Sequence, residues 1–305
     1  MLPQLSGDRL FLTDGGLETT LIFHLGLELP DFAAFDLLRD DTGAEALRRY
    51  YESYIAIARE HGAGIVLDTA TWRASRDWGE RLGYSPEELA EANRRAVALI
   101  EELRVLNPDV PAVLDGVIGP RGDGYVVGET MTPEEAEAYH SEQIGTFAGT
   151  AADMVGAITM TYADEAVGIA RAAQAAGLPA AISFTVETDG RLPSGQPLGA
   201  AIEQVDAETE SAPAYFMINC AHPTHFEGVL EGPWLERVRG IRANASRMSH
   251  EELDASEELD EGDPDELAGQ YRALRDRLPN ATVLGGCCGT DDRHVAAIAA
   301  ACAVR

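Results

Sequence analysis

Lysine is absent from this 305-residue chain, and all 23 of its basic side chains are arginines. Against them stand 52 acidic residues, a net charge of −29. A surface of that sign repels phosphates, so nucleic acid is excluded as a partner. The missing lysine reads as genome base composition or salt adaptation rather than function. No apolar run approaches the length that spans a bilayer, so no membrane role is expected. Met1 to Asp14 lacks the long apolar stretch of a signal peptide. Cysteine is scarce at four, and two of the four are neighbours. Adjacent cysteines rarely pair with each other, and thiols rather than disulfides suit a reducing cytoplasm, the expected location.

What is present is a 45% hydrophobic chain, enough to fill a sizeable core. Short apolar runs recur at Leu10–Thr13, Gly64–Asp68, Ala112–Asp115, Met154–Thr159, Ala180–Phe184, Tyr215–Asn219, Gly240–Ala243 and Thr282–Gly285. Amphipathic stretches lie between them, at Ala44–His61, Pro86–Leu106, Pro133–Gly149, Asp164–Ala176 and Asp265–Leu278. Two open with proline and acids in the first turn, Ser85-Pro86-Glu87-Glu88 and Thr132-Pro133-Glu134-Glu135. Strand–helix alternation repeated about eight times predicts a single-domain (β/α)8 TIM-type barrel over residues 1–305. An open doubly wound sheet is the competitor, weakened because no Gly-x-Gly-x-x-Gly follows the first strand. Residues 244–264, carrying Glu251, Glu252, Asp254, Glu257, Glu258, Asp260, Glu261 and Asp263, read as a solvated acidic loop and short helix; a lid is the alternative.

In a barrel, chemistry gathers at the carboxyl ends of the strands. Cys220 directly follows the sixth run, and Cys287 and Cys288 follow the eighth in Gly285-Gly286-Cys287-Cys288-Gly289. The three thiols then share one rim. Three protein ligands with an open fourth position is the pattern of catalytic zinc, and flanking glycines let adjacent cysteines reach one metal. A vicinal redox pair is the other reading, disfavoured by the lack of C-x-x-C. Cys302, in an alanine-rich closing helix, reads as a core thiol.

At these residues the sequence resembles the homocysteine S-methyltransferase family of zinc-thiolate barrels, which includes betaine- and S-methylmethionine-dependent enzymes. The likeness runs through Asp14-Gly15-Gly16-Leu17-Glu18-Thr19, Thr69-Ala70-Thr71-Trp72-Arg73-Ala74-Ser75, Gly116-Val117-Ile118-Gly119-Pro120, Asn219-Cys220 and the double-cysteine element. It implies Zn2+ held by Cys220, Cys287 and Cys288, with the substrate thiol activated as fourth ligand and no separate protein nucleophile. It implies that Asp14, Gly15 and Gly16 hold the amino-acid end of homocysteine, with Asn219 among the substrate-binding residues. His222 and His225 then read as loop residues. Trp72 either walls the donor pocket or simply packs. Family members carry a glutamate after the fourth strand that contacts the substrate ammonium. Here that segment is Ala157-Ile158-Thr159-Met160-Thr161-Tyr162, without an acid, so amino-group recognition is altered or moved to a residue such as Glu187, or the acceptor is a different thiol.

The expected partners are homocysteine and a sulfonium donor, S-methylmethionine or S-adenosylmethionine; a homo-oligomer is compatible with the sequence. A subunit exchanging methyl groups with a corrinoid protein, and a non-catalytic zinc- or thiol-binding barrel, are the alternatives.

Overall fold

Eight short strands, buried except at Ala112 and Arg239, alternate with helices. The computed structural model describes residues 2–256 and 258–303. In chain order come β1 (Phe11–Leu12), α1 (Leu17–Thr19), α2 (Asp41–Glu60), β2 (Gly64–Asp68), α3 (Arg76–Arg81), α4 (Pro86–Leu106), β3 (Ala112–Ile118) and α5 (Pro133–Ala148). There follow β4 (Met154–Met160), α6 (Ala163–Ala176), β5 (Ala180–Phe184), α7 (Leu198–Thr209), β6 (Tyr215–Asn219) and α8 (Pro223–Phe226). The chain closes with β7 (Val238–Ala243), α9 (His250–Asp254), α10 (Pro264–Arg277), β8 (Val283–Gly286) and α11 (Asp292–Cys302). Every strand pairs in parallel with its sequence neighbours, and β1 meets β8 to close the barrel. This is the (β/α)8 architecture that the strand–helix rhythm predicts.

Local chemistry starts the helices where the sequence places their first turns. Ser85 and Thr132 each accept from the amide three residues on, while Glu88 and Glu135 reach back to the cap amides. Helix α7 escaped the sequence reading. Its N-cap is Pro197, which makes no side-chain cap bond, so no acidic or hydroxyl signal announces it.

The lumen is filled in layers. Phe11, Val66, Val113, Met154, Ala181, Tyr215, Met217 and Val283 form an apolar plug inside the barrel. The N-terminal segment closes its lower end, where Thr282 donates to the carbonyl of Gln4. Above the plug lies an ionic layer. Arg242 on β7 bridges Asp68 on β2 and Asp14 after β1, and all three side chains are buried. Asp115 stands beside Asp68 in the β2–β3 register, and burial, then the Asp68 charge, pushes its carboxyl well above the ordinary range. The ionic layer is the floor on which the thiol site rests.

Cys302 is buried in α11 among the core side chains, as a structural thiol should be. No helix among the described residues is long and apolar enough to cross a membrane.

Candidate metal centre and substrate cavity

Cys220 leaves β6 in a left-handed conformation, φ 54°, uncommon for a side chain without glycine's freedom. Its amide donates to the carbonyl of Arg242, which fixes the turn and directs the side chain toward the end of β8. There Cys287 donates its amide to Ala243 and accepts from Thr290 on its carbonyl. Gly16 packs against this turn so closely that a Cβ would stand 2.8 Å from the Cys287 carbonyl oxygen. At Gly289, φ is +75°, and an added Cβ would stand 2.7 Å from the carbonyl oxygen of Asp260. The glycines around the cysteines therefore serve close backbone approach as well as turning.

The outcome is that the Sγ atoms of Cys220, Cys287 and Cys288 lie within 4.8 Å of one another. Tetrahedral zinc–thiolate bonds of about 2.3 Å place sulfurs about 3.8 Å apart, inside that limit, so the set fits a single ion. The sulfurs also share protons unevenly. Hydrogen bonds from Cys220 and Cys287 hold Cys288 well below the usual thiol range, whereas burial pushes Cys220 up. A soft cluster of three sulfurs suits a thiophilic divalent metal.

Tyr125, from the loop after β3, brings its hydroxyl to 3.1 Å from Cys220 Sγ and 3.4 Å from Cys288 Sγ. Its ring packs against His250 of α9, centroids 4.5 Å apart. Nε2 of His250 bonds the carbonyl of Cys220 at 2.7 Å, and its Nδ1 meets Glu187 Oε1 at 3.0 Å. Neither Tyr125 nor His250 was singled out in the sequence. Tyr125 lies in a loop and His250 at the start of the short α9, and only the fold brings them to the thiols.

A cavity of about 400 Å³ opens beside the cluster. Asp14, Gly15, Gly16, Trp72, Cys287 and Cys288 line it, so most of the expected site residues converge. Asp14 itself is occupied, its oxygens held by Arg242 and by the Tyr50 hydroxyl. Burial lifts the Asp14 carboxyl to about 7, against the lowering effect of Arg242. Trp72 donates from Nε1 to Thr159 Oγ1 at 3.0 Å, and the Arg73 guanidinium lies 3.9 Å from its ring centroid.

Asn219 and Glu187 do not line the cavity, although Asn219 Nδ2 donates to Cys287 Sγ at 3.9 Å. Asn219 is fully buried behind the cluster, where its Oδ1 accepts from Ser183 and from the amide of Thr159. Those bonds hold Thr159 in a left-handed conformation, φ 66°, which is strained for a β-branched residue. Glu187 is outside the cavity lining and pairs with His250 instead. His222 caps α8 by accepting from Thr224, a loop role, and His225 bonds the carbonyl of Arg247.

The acidic segment after β7 is not simply solvated. His250, Leu253, Asp254, Ser256, Glu258, Leu259 and Asp260 line the same cavity as the thiols, so this stretch covers its mouth. Of the acids expected there, Glu257 lies outside the described residues.

Comparison with known proteins agrees with this geometry. The profile of a family described as homocysteine S-methyltransferase matches residues 11–302. Homocysteine S-methyltransferase 4 of Zea mays is 25% identical over 320 residues, 95% of this chain and 88% of its own. Two structures of the Escherichia coli homocysteine methyltransferase MmuM superpose on this fold at 20% identity, covering 97% of this chain and 96% of theirs. Their TM-scores are 0.77 for the oxidised form and 0.75 for the metallated form.

Proposed function

The chain belongs to the homocysteine S-methyltransferase family, and from that premise we propose a zinc enzyme that moves a methyl group from a sulfonium donor to homocysteine. The observation that carries the reading is the convergence of three sulfurs beside a cavity of substrate size. Cys220, Cys287 and Cys288 would hold the ion. When bound, zinc lowers the pKa of a thiol ligand, so that a thiolate is present near neutral pH.

The protein's own groups supply the setting. Tyr125 keeps its proton, because burial and the three neighbouring sulfurs push its hydroxyl well above the ordinary range. It therefore offers an O–H to sulfur charge rather than a competing anion. Trp72, Ile158, Phe23 and Phe32 give the cavity apolar walls, and His250, Leu253, Leu259 and Asp260 line it from the acidic segment. Acids outnumber bases on the lining, since Asp14, Glu18, Asp68, Asp123, Asp254, Glu258 and Asp260 face only Arg73 and Arg242 as permanent cations. A negative cavity favours a cationic donor over a neutral or anionic one.

Transfer from a sulfonium to a thiolate forms a C–S bond as another breaks, cancels the two charges and releases a neutral thioether. The leaving group needs no proton, so no general acid has to be placed for it. S-Methylmethionine is the first choice of donor and S-adenosylmethionine the second.

The test is metal content together with a donor panel. Zinc should bind near one per chain, and Cys220→Ala, Cys287→Ala or Cys288→Ala should each remove most of it, while Cys302→Ala leaves it unchanged. Methionine should then form from homocysteine with a sulfonium donor, read by product mass. Zinc retained in all three variants, or turnover with betaine alone, overturns the assignment.

A further inference from the structure

Two charged side chains on the cavity wall have no assigned work. Glu18 lines the cavity in the turn after β1. Among the described residues its carboxyl makes no side-chain hydrogen bond or ion pair, and only its own backbone amide reaches it. Arg73 lines the cavity after β2 and is 5% exposed. Its guanidinium lies between two indoles, 3.9 Å from the Trp72 centroid and 3.8 Å from that of Trp78. Nη1 donates to the Gly122 carbonyl at 2.9 Å. Nε has no partner, and Nη2 stands 4.0 Å from Asp123 Oδ2, beyond hydrogen-bond reach.

A buried cation with an unmet donor is costly unless an anion completes it. The Nε–Nη2 edge of arginine matches a carboxylate with two parallel bonds, and here that edge is the unfilled one. Glu18 is the converse, an acid at the cavity wall with no cation bound to it. The pair shares a cavity with the thiols, since Glu18, Arg73, Tyr125, Cys287 and Cys288 all line it and the Tyr125 hydroxyl touches the cluster. The other candidates for an amino-acid head are engaged, the Gly16 amide donating to the Thr290 carbonyl and the Gly15 carbonyl accepting from Tyr50. Asp14 is held by Arg242 and Tyr50, Glu187 by His250, and the end of β4 presents Ile158 and Thr159.

Resting on the thiol-methylation reading, we propose that Glu18 and Arg73 form the head-group subsite of the acceptor, Glu18 taking the ammonium and Arg73 the carboxylate of a zwitterionic α-amino-acid thiol. The charge balance agrees. Burial lifts Glu18 to about 7, and an adjacent ammonium would restore its ionised form. Desolvation brings Arg73 down to about 10, and a carboxylate would reverse that.

The experiment pairs variants with truncated thiols. Cobalt-substituted protein is titrated with homocysteine, with 4-mercaptobutanoate (no ammonium) and with 3-aminopropane-1-thiol (no carboxylate), and binding is read from thiolate-to-metal absorption. Glu18→Gln should weaken homocysteine by about tenfold or more while leaving 4-mercaptobutanoate at its parent affinity. Arg73→Gln should weaken homocysteine similarly while leaving 3-aminopropane-1-thiol unchanged. Arg73→Lys, which keeps the charge but not the fork, should fall between. The unchanged truncated thiol also shows that each variant is folded and metal-loaded. Equal losses for all three thiols, no loss for homocysteine, or a shift confined to the Michaelis constant of the donor would each discard the subsite. If the parent protein gives no absorption change with any thiol, the thiol-methylation reading fails and the subsite falls with it.

Discussion

Glu18 shows how one residue can be legible as sequence and silent as function. It stands inside the Asp14–Thr19 element that carries the family likeness, yet nothing in its spacing separates it from a surface acid. Burial is what gives it meaning, and burial is a property of the closed barrel. The three cysteines were legible because their signal is local: a strand end, flanking glycines, and a rim that the (β/α)8 pattern fixes in advance. Tyr125 and His250 carry no such mark. Glu18 also predicts a pH effect on the ligand-free protein. Burial raises its pKa from 4.5 to about 7, so the folded state holds a proton that the unfolded chain releases earlier. The associated stability is full below pH 4.5 and is lost as pH rises through 7. Glu18→Gln cannot ionise, so its stability relative to the parent should improve between pH 5 and pH 8. The gain is at most about 3 kcal/mol, less the screening at the open side of the cavity. Asp14, also raised to about 7, is present in both proteins and cancels in the comparison. Urea midpoints at the two pH values measure it, and a gap that stays constant or shrinks would refute the account.

Among the elements, the strands were the easiest to read and the cover over the site the hardest. Strands β2, β5 and β6 match their apolar runs end for end, because parallel strands buried on both faces are written as uninterrupted apolar residues. Strand β7 begins at Val238, earlier than its apolar run, since Arg239 interrupts the run where the β6–β7 ladder shifts register. The cover was masked by its own charge. A dense acidic stretch reads as solvated, and only the fold shows Leu253 and Leu259 turned to the cavity. Its start was nonetheless written in a capping box, Ser249 with Glu252. The cover is tied at both sides of the mouth. His250 joins it to Glu187 and the Cys220 carbonyl, and Glu261 meets His24 at 2.9 Å and Arg293 at 2.7 Å. Removing the first tie should free one end. His250→Ala should speed amide exchange across Ser249–Ala255, leave β5 and β6 amides protected, and raise the dissociation rate of a bound thiol. Exchange that is unchanged in α9, or raised equally in the strands, would show that His250 does not fasten the cover.

At the scale of the whole molecule, charge rather than packing sets the unusual behaviour. Arginines form bridges across the surface, as in Arg237–Asp206 and Arg59–Asp109, but 23 cations cannot match 52 acids. The excess negative charge repels itself more strongly in the compact state than in the expanded one, so it opposes folding at low ionic strength. Screening should relieve this. The Debye length falls from about 10 Å at 0.1 M salt to about 3 Å at 1 M, shorter than the spacing between most surface acids. The barrel should therefore gain stability on going from 0.1 M to 1 M potassium chloride, the reverse of a fold held mainly by surface ion pairs, which salt weakens. The melting temperature should rise by several degrees, and the slope identifies the cause. Glu52, Glu203 and Asp276 are exposed, and their side chains make no hydrogen bond or ion pair among the described residues. Neutralising all three to Gln or Asn should raise the melting temperature at low salt and flatten its dependence on potassium chloride. General salting-out predicts the same slope for variant and parent, since it acts on apolar surface that these substitutions leave alone. Parallel slopes, or a melting temperature that falls as salt is added, would mean that the acidic excess is not what limits stability.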